Sequence, residues 1–146
     1  MKTTWHGTTL AAAVVAAVAA LAGCGMMEHH MGGGEKVTLS GKNEVPANTS
    51  GASGGGTVKV DDCAVSANIT VTGMAATAAH IHTGAAGVNG PVAVPFTKTG
   101  DNAFAAPAGA KFDAAQCAAY KKGETYVNVH SAAHPGGEVR AQLTGK

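Results

Sequence analysis

The chain has 146 residues, enough for one folded domain with a remainder outside it. Charged residues make up 13% and aromatics 4%, while alanine and glycine abound, so a core must come from Val, Ile, Leu and Ala; two sheet faces pressed together sustain such a core more easily than a helical bundle does. The formal charge of +1 gives no bulk field for nucleic acid, and no such partner is expected.

Residues 1–23 read as an export signal. Lys2 supplies a positive n-region and Leu10 to Leu21 is an uninterrupted apolar run. The run is too short to cross a bilayer comfortably, which takes about 20 residues. It leads into Leu21-Ala22-Gly23-Cys24, which resembles a bacterial lipobox. That resemblance implies cleavage before Cys24, a lipid on its sulfur, and a place in the bacterial cell envelope, anchored to a membrane. The alternative is a soluble secretory signal that contains a cysteine. With Cys24 acylated, Cys63 and Cys117 remain; in an oxidising envelope they are expected to form a disulfide, the alternative being two buried thiols.

Residues 24–36 read as a glycine-rich tether. Within it Met26, Met27, His29, His30 and Met31 suit copper capture, thioethers for Cu(I) and imidazoles for Cu(II). An ordinary linker of biased composition would look the same.

The domain, residues 37–146, opens with a short strand at Val37–Gly41, and Pro46 halts or bulges pairing after it. Residues 48–56 read as a Ser/Gly-rich loop, and 57–60 as a strand. In 63–72 Val65, Ala67, Ile69 and Val71 alternate with polar residues, the clearest half-buried strand of the chain. Strands follow at 78–83 and 91–97, then a loop region over 98–109 with an extended piece near Phe104. Asp113 is placed as a helix N-cap with Gln116 completing a capping box and Phe112 a hydrophobic staple; the helix runs to about Lys122 and stops at Gly123. Strands at 125–130 and 138–143 complete an all-β sandwich with one short helix.

Four of the seven histidines fall in two of these strands and the turn after one of them. Alternation puts His80 and His82 on one face of their strand, with Ile81 on the other. It likewise puts Tyr126, Asn128 and His130 opposite Val127 and Val129. His80, His82 and His130, with His134 as a possible fourth, can converge on one ion. An all-imidazole set suits Cu(II), Zn(II) or Ni(II), and the divalent affinity order favours copper over zinc. Arg140, on the same face of the last strand, is a candidate guide for a small anion. Glu138 reads as a strand-surface charge and Asn128 as a hydrogen-bonding neighbour of the ligands.

The span from about Val37 to Leu143 resembles the CHRD domain. The matching motifs are Leu39-Ser40-Gly41 with Glu44-Val45-Pro46, then Ala79-His80-Ile81-His82-Thr83-Gly84, Asn89-Gly90-Pro91-Val92, the stretch from Gly123 through Tyr126 to His130, and Pro135-Gly136-Gly137 through Leu143. A weaker resemblance is to copper superoxide dismutases, which carry a strand His-x-His, a later strand histidine and an arginine on the next strand; His80, His82, His130 and Arg140 stand in that order. It implies an antiparallel, Greek-key-like sandwich, copper as cofactor, and superoxide as the small anion. No zinc-binding loop and no bridging histidine are visible, so a copper-only relative is the closer likeness. Three functions remain open: an envelope-anchored copper protein that dismutates superoxide, a copper carrier or buffer without catalysis, and a structural or adhesion module without metal.

Overall fold

The computed structural model describes residues 1–4 and 33–146. The apolar run of the export signal, Cys24 and the tether residues Met26, Met27, His29, His30 and Met31 lie outside the described residues. The domain is built from β1 (Glu35–Ser40), a 3-10 turn (Gly41–Asn43), β2 (Ser53–Asp61), β3 (Ala64–Thr72), β4 (Ala76–Thr83), β5 (Val92–Pro95), β6 (Thr97–Gly100), β7 (Ala103–Ala105), α1 (Ala114–Lys121), β8 (Thr125–Ser131) and β9 (Val139–Gln142). Among the described residues the architecture is therefore all-β with one short helix.

The strands form one antiparallel sheet in the order β5-β4-β8-β9-β1-β2-β3-β7-β6. Its two outermost strands, β5 and β6, are separated in the chain by Phe96 alone. The sheet therefore curls until its ends nearly meet. Phe96 N–H donates to Ala79 O at 2.9 Å, and Lys98 Nζ donates to Ala76 O at 2.9 Å across the seam. The inner faces enclose a single apolar core that includes Leu39, Val58, Ile69, Ile81, Val94, Phe104, Val127, Val129, Val139 and Leu143.

β3 alternates as its sequence requires, Val65, Ala67, Ile69 and Val71 buried and the residues between them exposed. The glycine-rich stretch departs from expectation: Ser53 to Gly56 is strand, not loop. Gly54 and Gly56 pair with Val71 and Ile69 of β3. A Cβ on Gly54 would lie 2.6 Å from Val71 Cγ1, and one on Gly56 would strike the Asn68 carbonyl oxygen. Here glycine permits close approach of two strands rather than a turn. The expected strand over 91–97 is broken at Phe96, where the chain leaves β4 and crosses to pair with β7. Residues 97–100, read partly as loop, are a fully exposed strand.

At α1 the Asp113 side chain accepts from Gln116 N–H at 2.8 Å, while Gln116 Oε1 accepts from Asp113 N–H at 3.0 Å, the capping box the sequence predicts. Cys117 of α1 is disulfide-bonded to Cys63 in the β2–β3 turn. The helix is thereby tied to the sheet at a junction also held by the Ala64↔Lys111 bridge.

Candidate metal centre

β4 and β8 pair with His80 opposite Asn128 and His82 opposite Tyr126. Ile81 and Ala79 point into the core, so His80 and His82 share the outer face, as strand alternation demands. His130 stands two positions beyond Asn128 on that same face. The three rings come together, with centroids 4.8 Å apart for His80–His130, 5.5 Å for His80–His82 and 6.1 Å for His82–His130. One ring nitrogen from each lies within 4.8 Å of the others. Bonds of about 2.1 Å to one tetrahedral ion place its nitrogens ~3.4 Å apart, so small ring rotations suffice for these three to hold a metal ion.

Hydrogen bonds sort the ring nitrogens. His82 Nδ1 lies 2.9 Å from Gly90 O and His130 Nδ1 lies 2.9 Å from Pro135 O. A carbonyl oxygen only accepts, so both Nδ1 atoms carry the proton and both Nε2 atoms keep their lone pairs. His82 Nε2 is buried and has no hydrogen-bond partner. His130 Nε2 is 2.9 Å from His80 Nδ1. Carbonyl groups behind metal-binding imidazoles fix ring orientation in this way.

The electrostatics favour neutral rings. Burial, then the neighbouring His130 and His82, push His80 down to about 4. Burial is also the largest influence on His82, lowering it with the help of His130 and Arg140 against the Gly90 hydrogen bond and the nearby Asn128 side chain. Neutral imidazole is the metal-binding form.

Much of the outer face of β8 and β9 is shielded from solvent, with His130 and Gln142 half-buried. Loops from residues 41–50, 84–91 and 132–137 cover it, and Asn128, Glu138 and Arg140 beneath them are buried. Arg140 is 1% exposed. Its guanidinium lies 3.4 Å from the centre of the Tyr126 ring, and its nitrogens donate to Asn89, Ala85, Val88 and Gln142. His82 stacks on that same Tyr126, 4.9 Å between centroids and 4° between planes. The fold thus places Arg140 near the histidines but turns its donors toward the 84–91 loop, not toward an open approach to the triad.

Glu138 departs from the expected strand-surface charge. It is buried and accepts hydrogen bonds from Ser131 Oγ and, at 2.6 Å, from Ser50 Oγ. His134 is not gathered into the triad. It caps the turn after β8, its N–H donating to Ser131, and lines a cleft of about 300 Å³ with Glu44, Asn89 and Gly137.

Two residues on this side of the sheet have environments that the sequence did not announce. Tyr126 was legible as an outward residue, not as the spacer between His82 and Arg140. Glu44 follows the 3-10 turn, is 6% exposed, and has an Oε1 without a partner. Burial raises its pKa to about 7 against the lowering influence of Arg140, Val45 and Asn128. It stands in the Glu44-Val45-Pro46 motif of the family resemblance, but its burial depends on a covering loop, which is a tertiary feature.

Comparison with known proteins gives one family: the CHRD domain model matches residues 36–143. No curated protein and no solved structure matches the chain.

Proposed function

The chain belongs to the CHRD domain family, and from that premise we propose that it is a copper-binding protein of the bacterial envelope whose metal site is His80, His82 and His130. The observation that carries this reading is the sorting of lone pairs: the Gly90 and Pro135 carbonyls leave the Nε2 atoms of His82 and His130 unprotonated beside His80. Three neutral imidazoles without carboxylate or thiolate suit a borderline divalent ion, and among these copper binds most tightly, with zinc the competitor. Lys2, the Leu10 to Leu21 run and Cys24 support export and lipid anchoring, and the Met26 to Met31 segment suits delivery of copper to the triad. We assign the protein to copper holding and transfer.

A second reading, dismutation of superoxide, draws on the three-nitrogen donor set, which leaves room at copper for a small anion, and on His80 and His130 being only half-buried. Arg140 would be its anion guide, a role that needs donors now held by the 84–91 loop.

Titration of metal-free protein with Cu(II) and Zn(II) tests the main reading. One equivalent of tight binding is expected, lost by orders of magnitude in His80→Ala and His130→Ala. Absence of stoichiometric binding, or binding indifferent to both substitutions, would leave the structural module as the remaining function. Dismutase assay of the copper-loaded protein decides the second reading.

A further inference from the structure

A buried guanidinium needs partners for its five N–H donors. Arg140 finds them almost entirely in one loop. Nη2 donates to Ala85 O at 3.1 Å and to Val88 O at 3.0 Å, and Nη1 donates to Asn89 Oδ1 at 3.1 Å. Asn89 in turn donates from Nδ2 to Val45 O. The next residue is Gly90, whose N–H donates to Tyr126 Oη at 3.2 Å and whose carbonyl accepts from His82 Nδ1. Tyr126 is the ring on which both Arg140 and His82 lie. Two routes therefore connect the guanidinium to the orientation of one histidine: the backbone from Asn89 into Gly90, and the stack through Tyr126.

We propose that Arg140 is the positioning residue of the metal centre. By gripping residues 85–89 it sets the Gly90 carbonyl against His82 Nδ1, and so reserves His82 Nε2 as that ring's free lone pair. This rests on the metal reading of the triad for its purpose, but the grip itself exists in the metal-free protein and is testable there. Lysine cannot substitute, because a single ammonium lacks the planar fork that spans Asn89, Ala85 and Val88 together.

The test compares the full chain with Arg140→Lys and with Asn89→Ala, which loosens the loop while leaving Arg140 in place. The first readout is the ¹⁵N imidazole spectrum of metal-free protein, which reports the His82 tautomer. The second is the Zn(II) dissociation constant from chelator competition. Both variants are expected to convert His82 from a single Nδ1–H form to a mixture, leave His130 in its Nδ1–H form, and weaken Zn(II) about tenfold or more. A folded variant with His82 still in one tautomer and Zn(II) affinity unchanged overturns the proposal, even if its thermal stability falls. If Arg140→Lys does not fold, Asn89→Ala decides alone. If the parent chain binds neither Zn(II) nor Cu(II), the metal reading fails, and the tautomer comparison still judges the role of Arg140.

Discussion

His80 Nδ1 and His130 Nε2 stand 2.9 Å apart, a separation that fits one proton between two nitrogens. Because His130 Nδ1–H is committed to Pro135 O, its Nε2 is the acceptor and His80 Nδ1 carries the proton. A metal entering here displaces a hydrogen bond between neutral rings. His80, pushed down to about 4 by burial and its histidine neighbours, and His82, lowered chiefly by burial, are already deprotonated at neutral pH. Neither ring should release a proton to solvent on Zn(II) binding at pH 7. Affinity is expected to fall less steeply between pH 6.5 and 5.5 than the roughly hundredfold that three ordinary histidines would cost. Calorimetry in buffers of different ionisation heat gives the proton count directly. A count near two or three at pH 6 would contradict the neutral-ring description.

Glu44 makes the fold pH-sensitive in a defined direction. Its pKa rises from an ordinary 4.5 to about 7 because burial disfavours the carboxylate more than Arg140 favours it. The protonated form is the one the fold prefers. Its contribution is therefore fully present below pH 4.5 and lost as pH rises through 7, by at most about 3 kcal/mol. Glu44→Gln is expected to be more stable than the parent at pH 8 and equal to it at pH 4, in urea unfolding of metal-free protein. His80 works the other way, its contribution being lost as pH falls from 6.5 through about 4. The difference between variant and parent, rather than either curve, isolates Glu44. A difference independent of pH would mean that Glu44 is not a buried, half-protonated acid.

Gly137 closes the space around that acid. Its φ is +127°, and a Cβ there would sit 2.5 Å from Glu44 Oε1 and 2.6 Å from Asn128 Nδ2. Gly137→Ala combines backbone strain with a clash and is expected to cost about 3 kcal/mol. Gly136, with nothing within 4 Å of its Cβ position, is the control, and Gly136→Ala should be near neutral. Equal effects at both positions in thermal unfolding would show that the turn, not the packing on Glu44 and Asn128, selects the glycines.

The Cys63–Cys117 bridge spans 54 residues. On loop-closure grounds it contributes about 4 kcal/mol, so Cys63→Ala/Cys117→Ala should be destabilised by that order. The Ala64↔Lys111 bridge and the Phe112 N–H to Cys63 O bond remain at the junction. The double variant is therefore expected to fold at low temperature, with α1 the first element to lose amide protection on warming. Protection of α1 equal to that of β8 would contradict this order.

What the sequence revealed depended on how local the cause was. The faces of His80, His82 and His130 follow from strand alternation alone. The cap at Asp113 and Gln116 follows from two side chains three residues apart. The strand at Ser53–Asp61 was half hidden because glycine signals a turn in isolation, and only the proximity of Val71 and Asn68 shows why it serves a strand here. The break at Phe96 was hidden too, since it marks where two ends of a sheet meet, and Thr97–Gly100 carries no apolar alternation to announce it. Arg140 and Glu138 lie on the face alternation assigns them. What periodicity cannot see is that loops cover much of that face, turning an expected anion guide and an expected surface acid into buried groups with assigned partners.

The near-meeting of β5 and β6 at Phe96 bears on how copies of this domain behave when crowded. An open sheet offers neighbours a row of free amides and carbonyls to extend, which is how folded β-proteins begin to associate wrongly. Here each terminal strand is four residues long, one carries Lys98, and the two lie against a shared seam. Little template is left for strand addition, so concentrated solutions should stay free of fibrillar aggregates.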